Sequence, residues 1–311
     1  MDEVEDLDWD AYRAVVCYRC SREDVVCKVV EQAKKTGLNV YYDIDDLIFD
    51  YERISYLHFL TGSEYKDFKK TTEQIHSCME LCDGYFTSTD TLAGEIRREF
   101  PGKPVVINRN CASMEMQILS HDAVEQVEKD PEHISIGYFS GSKTHDQDFE
   151  VAEEAILEVM KEHPEVRLKL VGVLSDRKME KFGNKVEKLP FMDWKQLPSV
   201  MAGIDINLMP LEDSIFHCSK SENKWMEAAL VKVPSVMSRN REMKGVIENG
   251  VDGWLCSDKE EWKKALTTLI EEKTARVQMG EKAHKKVMCQ YVTQNTGKDA
   301  REELLCSEKY S

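Results

Sequence analysis

Residues 216–253 read FHCSKSENKWMEAALVKVPSVMSRNREMKGVIENGVDG. The stretch opens on a polar loop holding Ser219, Lys220 and Ser221. It continues as a helix with Trp225, Met226, Ala229 and Leu230 apolar and Glu227 among them. It then passes Pro234 into a short β run, 234–237, and closes on Gly250 and Gly253. Loop, helix and strand in this order are where α/β folds place ligands. The free N–H groups of a helix N-terminus attract an anion, and Lys220 adds a formal charge at the same point. The pattern predicts a diphosphate there, with Glu227 one or two turns along meeting a hydroxyl-rich group. A carboxylate on an apolar helix face costs free energy unless it is paired or binds something. Glu222, Asn223 and Lys224 lie beside it, so a structural ion pair is the alternative for Glu227.

Outward from this stretch the chain alternates short apolar runs with helical patterns. In the first third, 14–18 (AVVCY) reads as a strand. Residues 23–35 read as a helix, with Val25, Val26, Val29, Val30 and Ala33 at helical spacing. Gly37 ends that helix and 38–44 forms the next strand, which completes a βαβ unit. A helix over 65–81, a strand at 85–87, a helix capped by Thr89 or Asp90, and a strand at 104–107 follow. Residues 108–132 carry no strong period beyond a short helix near Ala123 and read as a connection. The alternation resumes with a strand at 134–138, a helix at 149–161, and strands at 166–171 and 186–189. A short helix at 194–201 and a strand at 204–208 lead back to the opening stretch. Helices at 260–270 and 275–287 and a polar tail complete the chain. Such alternation predicts parallel sheets covered on both faces. The expected organisation is a first α/β lobe over 1–110, a connection over 111–132, a second lobe over 133–290 and a helical tail over 291–311.

Composition narrows the function. The chain has 311 residues, 41% of them hydrophobic, and a net charge of −16. That charge argues against nucleic acid as the main partner, since phosphate backbones need clustered Lys and Arg. No run reaches the roughly 18 apolar residues of a membrane span, and the acidic start is unlike a secretory leader, so a cytoplasmic protein is expected. The ten cysteines are scattered. Cys17 and Cys20 form a CxxC, and Cys78 and Cys82 stand one helical turn apart. With Cys17 inside an expected strand and no histidine at finger spacing, the expectation is reduced, mostly buried thiols and no metal.

Two further stretches carry candidate chemistry. Ser140, Gly141, Ser142 and Lys143 follow directly on the strand ISIGY. Small residues let a backbone approach a phosphate, and hydroxyls can bond it. The glycine spacing is neither that of a Walker loop nor of a dinucleotide fingerprint, and a plain turn would use the same residues. Asp43, Asp45, Asp46 and Asp50 cluster where the second strand ends. They suit a metal or a catalytic pair, and they equally suit caps and loop positions. His58, His145 and His217 lie in or beside loops, the last two next to the proposed phosphate loops. No GxSxG elbow or nucleophilic cysteine context is present.

Taken together, DIDDLIFD (43–50), GYFSGSKTHDQDF (137–149), LKLVG (168–172), DINLMPLED (205–213), residues 216–238 and IENGVDGWL (247–255) resemble a family 4 glycosyltransferase of the GT-B type. The likeness is greatest to bacterial enzymes that build surface polysaccharides. The resemblance implies an α/β fold of two Rossmann-like lobes and transfer of a hexose from a nucleoside-diphosphate sugar with retention of configuration. No cofactor and no bound metal are implied. It places Ser140, Gly141 and Ser142 at the diphosphate and Lys220 at the leaving group, with Lys143 second. It places Glu227, the second carboxylate of the family's Glu-x7-Glu signature, at the ribose. Ser219 and Ser221 join the donor loop, and the backbone from Leu189 to Met192 lies beside the base. Asp45, Asp46 and His58 are the acceptor-side candidates, the acceptor being a glycan or another lipid-linked molecule.

Two positions depart from the family pattern. Its first Glu falls at Ser219, and the first lobe lacks a strand–helix set and a glycine-rich loop before residue 14. The N-terminal lobe is therefore expected to be incomplete, with a partner protein completing it or with peripheral membrane contact. The rival reading is a degenerate, non-catalytic nucleotide-binding or scaffold module.

Overall fold

A computed structural model describes residues 4, 6–54, 62–141, 146–172, 174 and 178–306. The chain divides into two compact units. The first comprises Met1–Arg109, Ser214–Ser221 and Gly297–Ser311; the second comprises Asn110–Asp213 and Glu222–Thr296.

In the first unit four parallel strands lie in sequence order: β1 (Ala14–Tyr18), β2 (Asn39–Ile44), β3 (Gly84–Thr87) and β4 (Val105–Ile107). Their register pairs Cys17 with Tyr42, Tyr42 with Tyr85 and Phe86 with Val106. The strands are short and rich in β-branched and aromatic residues, which suits a sheet buried between helices. The helices Asp24–Lys35, Gly62–Glu80 and Asp90–Glu99 provide the crossovers. Thr89 caps the last of these by accepting from the Leu92 N–H. Val40, Tyr42, Ile44, Leu47, Tyr85 and Ile96 form the centre of the core.

Two later segments return to this unit. Ile215 and Phe216 of the helix Ile215–Cys218 pack on its core. The helix Lys298–Cys306 lies against β4, and the Tyr41 hydroxyl meets Glu303 Oε1 at 3.2 Å. The tail expected as a separate piece is thus divided: 291–296 stay with the second unit and 297–311 join the first.

The second unit holds six parallel strands: β5 (Ile134–Ser140), β6 (Val166–Gly172), β7 (Val186–Leu189), β8 (Ile206–Met209), β9 (Ser235–Ser238) and β10 (Trp254–Cys256). Their order in the sheet is β10-β9-β8-β5-β6-β7. The chain builds outward from β5 to β7, then returns to the other side of β5 and builds outward to β10. Between β5 and β8 the direction of growth reverses, the place where open α/β sheets leave a crevice at the strands' carboxyl ends. Tyr138, Phe149, Leu168, Leu208 and Trp262 fill the core on one side. Trp225, Met237 and Leu255 belong to another cluster.

The expected connection over 111–132 is different in the structure. It contains a helix, Met114–Gln126, capped by Ser113 and packed on the helix Leu197–Ala202 of the second unit. Only Ser120 and Ala123 of this helix are buried, so its apolar stripe is too narrow to show as a period. Among the described residues no helix is long and apolar enough to cross a membrane.

Candidate functional site

The crevice beside the reversal is a cavity of about 460 Å³ within the second unit. Its floor comes from the ends of β5 and β6, where Phe139, Ser140, Gly141 and Val171 line it. One wall is the first two turns of the helix Asn223–Leu230, through Asn223, Lys224 and Glu227. The other is the segment after β7, through Phe191, Met192, Asp193 and Trp194.

Local chemistry fixes each wall. Ser140 and Gly172 are register partners at the carboxyl ends of their strands. Gly172 adopts φ +97, and a Cβ there would stand 1.9 Å from the Ser140 carbonyl oxygen. Only glycine fits this turn. On the helix, the Asn207 side-chain amide, reaching up from β8, donates to the Lys224 carbonyl at 3.2 Å and to Ser235 Oγ at 3.0 Å. Trp225, fully buried, donates its indole N–H to the Asp252 carbonyl at 2.7 Å. Lys224 and Glu227 are thereby presented to the cavity while Trp225 and Met226 are held in the core.

Glu227 is half-buried at the helix wall. Burial raises its carboxyl from the ordinary 4.5 to about 7, and the Lys224 ammonium partly opposes that rise. The Lys224 ammonium also lies 5.2 Å from the centre of the Tyr138 ring. Phe191 and Trp194 are 66% and 41% exposed. Both rings line the rim and offer surface for a planar ligand to stack on, and the Lys195 ammonium lies 5.5 Å from the centre of the Trp194 ring. Carboxylate, cation, small polar turn and aromatic rim together suit a ligand with hydroxyls, a phosphate and a flat ring. A second hollow, of about 670 Å³, opens at the amino ends of β5 and β6, beside Ser135 and Arg167. Parallel-sheet ligands sit at the opposite strand ends.

Of the residues singled out in the sequence, Ser140, Gly141 and Glu227 meet in this cavity. Leu189 instead packs into a core cluster with Phe139 and Val171, and the cavity wall is taken up two residues later by Phe191 and Met192. Ser142, Lys143, His145 and His58 lie outside the described residues.

Ser219, Lys220 and Ser221 were expected in the second lobe but belong to the first unit. The cause is the packing of the half-buried Ile215 and Phe216 on the first core, reinforced by a Thr89 hydroxyl that donates to the Ser219 carbonyl at 3.0 Å. The Ser219 hydroxyl donates to the Ile215 carbonyl at 2.7 Å. The Lys220 ammonium sits 5.1 Å from the centre of the Phe216 ring. His217 Nδ1 shares a 2.6 Å hydrogen bond with Ser214 Oγ.

The acidic end of β2 divides by role. Arg19 reaches Asp45 and Asp46 at 3.1 Å each. Asp43 is raised to about 6 by burial first and by the Asp45 charge second. Burial and the neighbouring Asp46 also raise Asp45. Asp50 is a cap: its Oδ1 accepts from the Glu52 N–H at 3.1 Å and the Arg53 N–H at 3.3 Å. The sequence did not mark Lys224 or Gly172 as site residues. Lys224 was legible from its place three residues before Glu227, and Gly172 only from the register of two strands.

Residues 134–272, a little under half of the chain, match the family described as Glycosyl transferases group 1. No curated protein matches the chain in sequence. Among solved structures, the chain is similar to Anabaena Alr3699/HepE in complex with UDP, at 15% identity and a TM-score of 0.65. That likeness covers 97% of this chain and 82% of the other. A glycosyltransferase from Rickettsia africae aligns at 12% identity and a TM-score of 0.67, over 97% and 79% of the two chains. WaaG, a glycosyltransferase involved in lipopolysaccharide biosynthesis, aligns at 13% identity and a TM-score of 0.61, over 91% and 81%. The two parallel α/β units of this chain are those of the GT-B fold.

Proposed function

We propose that the protein is a retaining glycosyltransferase that moves a hexose from a nucleoside diphosphate to a glycan or lipid-linked acceptor. One observation carries the reading. A carboxylate raised to about 7, an ammonium and a serine–glycine turn line one cavity at the switch point of the second sheet. In this reading the turn at Ser140 and Gly141 meets the diphosphate, and Lys224 offsets its charge. Glu227 accepts hydroxyl hydrogen bonds from the ribose. Phe191 and Trp194 flank the base. The bond from the anomeric carbon to the diphosphate oxygen breaks, and the acceptor oxygen bonds to the same face of that carbon. The acceptor's proton passes to the departing phosphate oxygen, whose growing charge is what preorganised donors and cations stabilise. The fold's likeness to structures holding UDP, and UDP with glucose, supports a nucleotide-sugar donor.

Calorimetric titration with UDP-, GDP- and dTDP-sugars tests the donor site. One of them should bind, and Glu227→Ala should abolish the binding. No binding by any of the three would remove the reading. Turnover should give a product with the donor's anomeric configuration by NMR and should not change on adding magnesium.

A second reading has its own support. Ser219 stands where the family has its first Glu, and its hydroxyl is bonded to Ile215. A nucleotide-binding module without transfer, acting with a partner protein, would bind the donor and leave it intact over hours.

A further inference from the structure

Asn223 is the first residue of the helix Asn223–Leu230 and lines the cavity beside Lys224 and Glu227. An asparagine near a helix start ordinarily caps it, the side-chain oxygen accepting from a backbone N–H. At this helix no side-chain cap bond forms, and Asn223 Oδ1 is buried without a hydrogen-bond partner among the described residues. A buried acceptor left unbonded costs its desolvation, and native proteins keep few such groups.

The backbone beneath this side chain is held in place. The Glu222 carbonyl accepts from the Met226 N–H at 2.9 Å, and the Lys224 carbonyl accepts from the Asn207 amide at 3.2 Å. The helix therefore does not shift to satisfy the oxygen, but the side chain can turn, because the terminal torsion of an asparagine is broad. A partial turn brings Oδ1 to the cavity that the residue already lines.

Position along the helix says what meets it there. In the donor-site reading above, on which this inference rests, Phe191 and Trp194 flank the base, Glu227 meets the ribose and Lys224 offsets the diphosphate. The ligand then runs from the second turn of the helix toward its first residue. Asn223 lies four positions before Glu227, on the same helix face, at the end where the sugar follows the diphosphate. An ionised diphosphate has only acceptor oxygens, whereas a sugar hydroxyl also donates.

We propose that Asn223 reads the transferred sugar, its carbonyl oxygen accepting from one hydroxyl and its amide N–H donating to the adjacent one. A carboxamide carries donor and acceptor side by side, as a vicinal diol does. The donor sugar is accordingly one with two adjacent free hydroxyls. A sugar that lacks one of them leaves a buried polar group unbonded, which is how a site rejects an analogue strongly.

Calorimetry of the parent and of Asn223→Ala tests this, with UDP, GDP and dTDP and with their glucose, galactose and mannose conjugates. The bare diphosphate that binds the parent should bind the variant within about twofold. The tightest nucleotide sugar should bind the variant about 10-fold or more weakly. Asn223→Leu, which keeps the branching of the side chain without its polar atoms, should show the same split. Without ligand Asn223→Ala should melt at or above the parent temperature, since the unbonded oxygen is gone; a residue that only supported the fold would lower the melt and weaken both kinds of ligand. Deoxy analogues of the tightest donor need no variant to be informative. Loss of one of two adjacent hydroxyls should weaken binding to the parent by about 10-fold and leave binding to Asn223→Ala unchanged.

Equal weakening of diphosphate and sugar would overturn the inference. So would a nucleotide sugar that the variants bind undiminished, or a parent indifferent to every single deoxy substitution. Each of these results leaves the donor site itself standing. A parent that binds none of the ligands would remove the donor reading and this inference with it.

Discussion

In the second unit the chain reverses its direction of growth between β5 and β8, and the strand ends open on Ser140, Gly141, Lys224 and Glu227. In the first unit β1 to β4 follow one another without reversal, and the corresponding ends carry Asp43, Asp45 and Asp46 with Arg19 between them. The two sheets share strand direction, crossover pattern and residue types, yet the ends are equipped oppositely. One end is open, small and partly cationic, as a phosphate requires. The other is acidic and largely paired with itself. Parallel strands alone therefore do not make such a cavity. The reversal creates the space, and a glycine lets two strand ends close beneath it.

The most damaging way to break this contrast is Gly172→Ala. A methyl at φ +97, meeting the Ser140 carbonyl, should cost roughly 3 kcal/mol of stability and abolish donor binding. A urea transition unchanged from that of the parent would show that the strand ends do not depend on the glycine.

Next is Glu227→Gln, expected to weaken donor binding by about 2 kcal/mol, roughly 30-fold, in calorimetry. Its titration gives opposite trends in binding and stability. Donor affinity should rise as pH climbs through about 7, because the carboxylate is the accepting form. Stability should fall over the same approach: between 4.5 and about 7 the folded chain keeps a proton that the unfolded chain has lost. Thermal melts between those limits should show a steeper decline in the parent than in Glu227→Gln, where Asp43, raised to about 6, still contributes.

A smaller effect belongs to the acidic end. Asp43, raised to about 6, is ionised at neutral pH against the cost of burial and of Asp45. Asp43→Asn should raise the melting temperature by a few degrees at neutral pH, about 1 kcal/mol, and the gain should vanish below pH 3.8. Smallest is Arg19→Ala. Its two ion pairs are partly exposed, so the loss should stay within about 1 kcal/mol and shrink in high salt.

The α/β alternation was legible because each strand is a short β-branched or aromatic run between turn residues, as in AVVCY and INLM. Glu227 was legible for a related reason: a carboxylate between Met226 and Ala228, both buried, asks for an explanation. Long-range facts were not legible. The pairing of Ser140 with Gly172 needs the register of β5 and β6. The helix Met114–Gln126 was read as a connection because the residues it buries, Ser120 and Ala123, are small. The return of Ser214–Ser221 to the first unit rests on Ile215 and Phe216, two apolar residues that local reading assigns to whichever lobe surrounds them.

That return, with the later one of Gly297–Ser311, has a consequence for biosynthesis. Domains generally fold in turn as the ribosome delivers them, the N-terminal one first. Here the first sheet is translated early, but Ile215 and Phe216 arrive only after most of the second sheet, and Glu303, the partner of Tyr41, later still. The nascent first unit must wait, unfinished, until the second has been made.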